Sequence, residues 1–319
     1  MKTIMKSFAV LTILVAGFVS CSKTASVVSP SEKSVSVRFS VAPTEVKTVF
    51  GEAKDGVYPV LWTANEQTAI FYNDCIGNSS WTNGGKYLTP VPSTDSSSAE
   101  LSATFTINED ADKHVFYAFS PLCNLNWMGN EDWDGDGVAE KKVVYAKIPA
   151  DQTPSYGTCD EKAQLIVAKA ESVEIPSSVN LQFSHLSSYG KIETLALPEG
   201  AEEIVGVLIE SDKVLYGEVY CDYDEQNTVK LNLKATTGNY LYLDTNNALR
   251  GTTLSNVFFA TVPHNGDDKF GEGNWMKITV YTMTDTWVKT INFSAERTLA
   301  FTPGRISSFS VSSTGFTKQ

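Results

Sequence analysis

The sequence has few of the residues that usually build catalytic or metal centres. Its 319 residues include only three histidines and five cysteines, and no two histidines have the spacing of a zinc-binding pair. The GxSxG nucleophile elbow, the GxGxxG phosphate loop and CxxC pairs are absent. Acidic residues are plentiful, so a glycosidase-type carboxylate pair stays open, but no pair stands out. We therefore predict that the protein is not an enzyme.

Positive charge is also scarce, because 25 basic side chains face 37 acidic ones and the net charge is −12. Such a surface repels nucleic acid and anionic lipid headgroups, so we expect neither as a partner. Beyond the N-terminal segment, no apolar run approaches the ~20 residues that a membrane-spanning helix needs. The hydrophobic content of 42% is enough for buried cores, and a chain of this length suits two domains better than one.

The N-terminal segment has the pattern of an export signal. Lys2 and Lys6 precede an uncharged stretch, 8–19, that is too short to cross a bilayer, and the small Ser20 precedes Cys21. This pattern is similar to the lipobox of bacterial lipoproteins, whose cysteine receives diacylglycerol. We expect residues 1–20 to be removed, Cys21 to be acylated, and residues 21–33 to tether the protein to the outer membrane. An ordinary signal peptide cut nearby is the alternative.

Alternation with a period of two begins at residue 34. Val35, Val37, Phe39 and Val41 fall on one side of an extended segment, and polar residues, among them Arg38, fall on the other. Further strand-like segments lie near 69–72, 101–107, 114–119, 142–148, 179–183, 191–197, 204–210, 214–220, 228–233, 257–262, 276–282, 287–293 and 306–311. We predict an all-β fold of two tandem β-sandwich domains, residues 34–172 and residues 173–319.

An acidic segment, NEDWDGDGVAE at 130–140, imitates the first half of a calcium-binding loop. Its oxygen ligands would come from Asp132, Asp134, Asp136, the Val138 carbonyl and Glu140. Val143 stands where such a loop has a bidentate glutamate, and no helix flanks the segment. A solvated acidic loop is therefore the alternative to a Ca²⁺ site that would stiffen the loop.

Tryptophans and cysteines supply the other candidate sites. Trp81, Trp127 and Trp133 lie in segments that we expect to be loops, where they could stack on sugars or anchor a partner; the alternative is that they cover the ends of the cores. After Cys21, the remaining cysteines are Cys75, Cys123, Cys159 and Cys221. We expect at most one disulfide among them, with its pairing open.

Four segments in order resemble the bacteroidal fimbrillin family. They are WTANEQTAIF at 62–71, FYAFSP at 116–121, IPADQ at 148–152 and LQFSHL at 181–186. They are similar to the Trp–acidic–strand, aromatic–Pro, Pro–x–x–Gln and Phe–x–His segments of the family, the last of which opens the second domain. The family usually has an aspartate where this chain has Glu66 or Gln67. The resemblance implies two transthyretin-like β-sandwich domains and a role in fimbriae or related surface adhesion.

The resemblance also implies a processing site. Stalk subunits of the family are exported as lipoproteins and are then cut after an arginine in or near the first strand, which opens a groove for a strand of a neighbouring subunit. Here the cut would fall between Arg38 and Phe39. The alternative is that Arg38 is an outward residue that keeps an edge strand soluble, since anchor and tip members keep their first strand.

Two hypotheses of different classes follow. The first is a lipid-anchored subunit of fimbriae at the cell surface, structural or accessory (tip or anchor), that adheres and assembles with other fimbrial subunits through strand exchange and contacts an unidentified surface ligand. The alternative is a monomeric surface lipoprotein that binds glycans through its tryptophan-bearing loops.

Overall fold

The computed structural model describes residues 32–41, 49–50, 60–62, 67–76, 79–93, 98–129, 143–223, 229–245 and 249–319. Within them, no helix is long and apolar enough to cross a membrane. The strands of the first half are β1 Glu32–Val41, β2 Val49–Phe50, β3 Val60–Leu61, β4 Thr68–Ile76, β5 Ser79–Leu88, β6 Val91–Pro92, β7 Ala99–Asn108, β8 Lys113–Ser120, β9 Leu125–Gly129, β10 Val143–Ile148, β11 Asp151–Gln152 and β12 Ile166–Ser172.

The second half of the chain also consists mainly of strands. Its strands are β13 Ser178–Leu181, β14 Phe183–His185, β15 Ser188–Ala196, β16 Ile204–Ser211, β17 Tyr216–Tyr223, β18 Val229–Gly238, β19 Tyr240–Asp244, β20 Thr253–Thr261, β21 Trp275–Thr282, β22 Thr286–Asn292, β23 Ile306–Val311 and β24 Thr317–Lys318. The described helices are three 3₁₀ turns, at Leu122–Asn124, Glu161–Ala163 and Gly266–Asp268. The predicted all-β fold is therefore confirmed.

Two sheets enclose the core of the first half. One has the strand order β13-β1-β7-β6 and the other β14-β12-β8-β4-β5. Alternate side chains of both sheets meet between them, as packed sheets require. Five aromatic side chains of this core are at most 2% exposed: Phe39, Trp62, Tyr72, Phe105 and Phe116.

Two further sheets enclose the core of the second half. Their strand orders are β11-β19-β16-β21-β22-β24 and β20-β15-β23. The core between them contains many fully buried aliphatic side chains together with Phe259, Phe270 and Phe301. Strand β16 alternates buried and partly exposed residues over much of its length and lies at the predicted segment 204–210. Strand β19 alternates in the same way but was not predicted from the sequence.

A third arrangement joins the two halves of the chain. The sheet β18-β17-β10-β9 pairs β10 with β17 from Val144–Cys221 to Ile148–Gly217. Behind it lies a separate buried cluster that includes Phe119, Val167 and Val262. The halves are therefore connected through hydrogen bonds and an apolar layer as well as through the chain.

The predicted boundary between residues 172 and 173 precedes β13 and β14. Nevertheless, β13 pairs with β1 and β14 pairs with β12, so both strands extend sheets of the first half. This pairing assigns the Phe–x–His segment to the first half and favours a later boundary, between β14 and β15. The division into two domains stays a prediction.

Candidate functional site

β1 is flanked on both sides for only part of its length. It runs antiparallel to β7 from the pair Glu32–Asn108 to the pair Val41–Ala99. On its other side, β13 pairs with it in parallel only from Arg38 to Val41. Among the described residues, the stretch 32–37 therefore has a single neighbouring strand, and it is the part of β1 that is easiest to detach.

The inward side chains of β1 lie in what we call the β1 groove, the channel between β7 and β13 that is floored by Phe105 and Phe116. Val37 and Phe39 are completely buried there, and Val35 is half-buried. The Phe39 ring packs edge-on, with its centroid 6.0 Å from that of Phe105 and 5.3 Å from that of Phe116. The alternation predicted from the sequence is confirmed, and the groove is matched to a strand with apolar residues at every second position.

Arg38 occupies the opposite face of β1 and is exposed. Its backbone N–H donates to the Ser177 carbonyl at 3.0 Å. Arg38 lines a surface cavity of about 230 Å³ together with Glu100 of β7 and Val91 of β6. The outward orientation expected for Arg38 is therefore observed, and its guanidinium can be reached from solvent.

The bond between Arg38 and Phe39 is less accessible than the Arg38 side chain. It lies where β1 is paired on both sides, and the following residue, Phe39, is fully buried. A protease needs an extended segment free of neighbours, so a cut there requires β1 to unpair first. Loss of residues 32–38 would uncover β7 from Ser102 to Asn108, along with the places of Val35 and Val37 in the groove.

A buried polar cluster lies at the end of β7 where β1 begins. The Tyr72 hydroxyl contacts the Asp74 carboxylate and lies 2.7 Å from Nδ1 of His114. Asp74 Oδ2 also accepts the backbone N–H of Asn108, at 3.3 Å. All four residues are at least nine-tenths buried. The cluster meets the demand that buried polar groups find partners, and it ties β7 to β4 beside the pair that Asn108 forms with Glu32.

Residues of the family-like segments contact one another across the first core. The Trp62 ring packs edge-on against Phe183, with centroids 5.4 Å apart. Nδ1 of His185, the last residue of β14, lies 2.7 Å from the Tyr189 hydroxyl. His185 is thus a buried, hydrogen-bonded residue at a strand end. The Phe–x–His segment is thus a packing element in this chain.

Gln152, the last residue of the Pro–x–x–Gln segment, forms what we call the Gln152 clamp. Its Oε1 accepts the Ala260 N–H at 2.8 Å, and its Nε2 donates to the Ala260 carbonyl at 2.7 Å and to the Pro149 carbonyl at 3.1 Å. Ala260 lies in β20, an edge strand, so the side-chain amide takes the place of a neighbouring strand. The sequence showed this residue only as part of a motif and gave no sign of its distant partner.

His264 belongs to an ionic cluster in the second half. Its Nδ1 lies 2.6 Å from Asp268 Oδ2, and Lys213 Nζ lies 2.7 Å from Asp268 Oδ1. Partial burial pushes the pKa of Asp268 upward, but the hydrogen bonds and charges of Lys213 and His264 outweigh it and hold the pKa below its usual value. The Asp268 side chain is 61% exposed, so the pair is a surface interaction.

Several sequence-predicted site residues lie outside the described residues. They are Cys21, Trp133 and the whole proposed calcium set of Asp132, Asp134, Asp136, Val138 and Glu140. Acylation and calcium binding therefore stay predictions. Within the part of the chain that the structure describes, no three His, Cys, Asp or Glu side chains are grouped to hold a metal ion.

We had expected Trp81 and Trp127 to lie in loops, but both lie in strands. The backbone places Trp81 within β5, opposite Asp74, and Trp127 within β9, opposite Tyr145. Glycine and asparagine near Trp81 had suggested a loop, but hydrogen bonding to β4 overrides that local preference. Among the described residues, no disulfide joins Cys75, Cys123, Cys159 or Cys221.

Comparison with known proteins gave structural similarities alone. No protein-family model matches the chain, and no curated protein matches it. A candidate cell adhesion protein from Bacteroides ovatus is similar at 13% identity and a TM-score of 0.49, over 91% of this chain and 96% of that one. A fimbrial assembly protein from Parabacteroides distasonis has 13% identity and a TM-score of 0.41, over 90% and 95%. The fimbrial anchor protein Mfa2 from Porphyromonas gingivalis has 13% identity and a TM-score of 0.36, over 76% and 78%.

Proposed function

We propose that the chain is a fimbrillin-like, non-enzymatic subunit of surface fimbriae, exported as a lipoprotein on Cys21, that accepts a strand from another subunit in its β1 groove. The observation that carries the proposal is the geometry of β1. A strand with buried Val37 and Phe39 bears an outward arginine between them, and the part of it that precedes this arginine has one neighbouring strand among the described residues.

The groove has the properties that strand exchange needs. Backbone groups of β7 from Ser102 to Asn108 supply hydrogen bonds, and the places of Val35 and Val37 supply apolar pockets. Complete burial of a valine side chain is worth roughly 1.5–3 kcal/mol. A vacated groove would thus leave unpaired backbone and exposed apolar surface, and an incoming strand with the same alternation would restore both.

The last long strand of the chain is used within its own fold. β23 runs parallel to β15 from Tyr189–Ile306 to Leu195–Val311, and Val311 is 1% exposed. Withdrawal of this strand would uncover the core of the second half. The proposal therefore gives this chain the part of a strand acceptor at β1 and does not use β23 as a donor.

The test is the N-terminal residue and the assembly state of the protein isolated from cells that make fimbriae. We expect a mature chain that begins at Phe39. Its polymers should resist detergent and give a ladder of bands on a gel, and heating should abolish the ladder. The substitution Arg38→Ala should leave a chain that begins at acylated Cys21 and stays out of the ladders. Arg297→Ala, at an exposed arginine in the bend between β22 and β23, is the matched control and should behave as the unsubstituted protein.

Other outcomes would overturn separate parts of the proposal. Unsubstituted protein that begins at Cys21 and is always monomeric would refute strand acceptance. A chain that begins at Phe39 but carries no partner strand would mean that processing occurs without assembly. Mature protein without an acylated precursor would refute the lipoprotein route.

A further inference from the structure

A surface cavity of about 460 Å³ lies in the first half, and no residue of β1 is among its described lining residues. Its walls come from four places in the chain. Gln67 precedes β4, Thr89 follows β5, Cys123 belongs to the first 3₁₀ turn, and Glu161 with Lys162 belongs to the second. Cavities of this size are typical of small-ligand sites.

Hydrogen bonds hold the walls in place. The Leu122 N–H donates to the Gln67 carbonyl at 2.8 Å. The side-chain amide of Asn124 donates to the Lys162 carbonyl, and Asp160 accepts the Lys162 N–H at 2.9 Å. The two 3₁₀ turns and the start of β4 are therefore joined to one another, so a ligand would meet walls that are already arranged.

The polar groups of the cavity are balanced in charge. Glu161 supplies a carboxylate, Lys162 an ammonium, Gln67 an amide and Thr89 a hydroxyl. Partial burial, and then the charge of Asp160, raise the pKa of Glu161. Among the described residues, no salt bridge involves Glu161 or Lys162, so both can hydrogen-bond to a ligand.

This chemistry limits the class of ligand. A purely apolar ligand would cover the carboxylate, ammonium and amide without giving them partners, which is costly. An anion would be opposed by Glu161 and by the net charge of −12. A ligand that is neutral, carries several hydroxyls as both donors and acceptors, and has an apolar face for Pro121 and Leu122 suits the described lining groups.

We propose that this cavity binds a neutral hexose unit of a glycan, with Glu161 accepting from, and Lys162 donating to, its hydroxyl groups. The site is separate from the β1 groove and does not depend on strand exchange. It also differs from the tryptophan-bearing segments considered in the sequence analysis, because no tryptophan in the described part of the chain lines it.

Cys123 provides a direct probe, because it lines the cavity and its thiol belongs to an exposed residue. The mature protein is treated with iodoacetamide, and the rate at each cysteine is followed by mass spectrometry. We expect glucose, galactose, mannose or N-acetylglucosamine, each at millimolar concentration, to slow alkylation of Cys123 severalfold. The rate at Cys75, which is partly exposed and is not a lining residue, serves as the internal control.

Two variants test the assigned groups. Glu161→Gln and Lys162→Met should each raise the sugar concentration that protects Cys123 at least tenfold. The reason is that each substitution leaves hydroxyls of the sugar without a charged partner. Glu174→Gln and Lys269→Met, at exposed residues elsewhere, should leave protection unchanged. Thermal unfolding of all four checks that the fold is kept.

Three outcomes would overturn the proposal. Cys123 could be alkylated at the same rate with every sugar. Glycine, which carries both charges, could protect where the hexoses do not, and the ligand class would then be a zwitterion. Protection could also persist in both the Glu161 and Lys162 variants, which would place the sugar elsewhere. None of these results bears on the N-terminal residue or the ladders that test the proposed function.

Discussion

Replacement of Gln152 by alanine should destabilise the protein strongly although the residue contacts no ligand. Gln152 is 1% exposed and Ala260 is completely buried. The substitution removes three hydrogen bonds and leaves the N–H and the carbonyl of Ala260 without these partners. An unsatisfied buried polar group costs about 1–3 kcal/mol. Two such groups give roughly 2–6 kcal/mol, and entry of water into the space would move the value toward the lower end.

The measurement is the free energy of unfolding in guanidinium chloride, followed by circular dichroism and by tryptophan fluorescence. Hydrogen exchange at the Ala260 amide gives a local readout, and we expect it to accelerate more than exchange in the core of the first half. Gln182→Ala is the matched control, because Gln182 is exposed, and it should change the free energy by no more than about 0.5 kcal/mol. If Gln152→Ala costs no more than this control, the hydrogen-bonding argument for the clamp is wrong.

Gln152→Glu separates the donor from the acceptor. The variant keeps an oxygen for the Ala260 N–H but faces the Ala260 carbonyl with a second oxygen. Because burial and that carbonyl disfavour the carboxylate, the pKa of the introduced carboxyl group would be raised in the folded state relative to the unfolded state. The variant should therefore be most stable below the ordinary pKa of glutamate and should lose stability as the pH rises through the raised value. Equal destabilisation at all pH values would contradict this.

Further predictions concern the core, an ion pair and a thiol. Phe39→Ala should cost about 3–5 kcal/mol in the free energy of unfolding, because it empties a buried site, whereas Ser40→Ala on the exposed face of β1 should be close to neutral; equal effects would contradict the placement of the groove. Asp268→Asn should cost less than ~1 kcal/mol in the free energy of unfolding at neutral pH. The cost should vanish as the pH falls through the lowered pKa of Asp268. Asp267→Asn is the control, and a cost of Asp268→Asn that grew in acid would contradict the lowered pKa. Burial raises the pKa of the Cys159 thiol, so it should resist iodoacetamide until the protein unfolds.

The extended conformation of β1 and its buried and exposed faces could be predicted from the sequence. Alternation of apolar and polar residues along residues 34–41 places Val37 and Phe39 inside and Arg38 outside, because successive side chains of any strand point to opposite faces. This rule is local and needs no knowledge of the neighbouring strands. The same reasoning located most of the other strands. The identity of Cys21 as an acylation site has the same local basis and awaits its own measurement.

The neighbours of each strand were decided only in the tertiary structure. A strand pattern shows which side of the strand is apolar but not which strand pairs with it. Pairing brings together segments that are far apart in the chain, and the residues of one strand do not specify its distant partner. For this reason the sequence did not indicate that β13 returns to β1 or that β10 pairs with β17. Gln152 meets Ala260, 108 residues away, and the cavity of about 460 Å³ brings together Gln67 and Glu161. Local alternation thus determined the faces of the strands, whereas long-range hydrogen bonding and packing decided the groove, the clamp and the cavity.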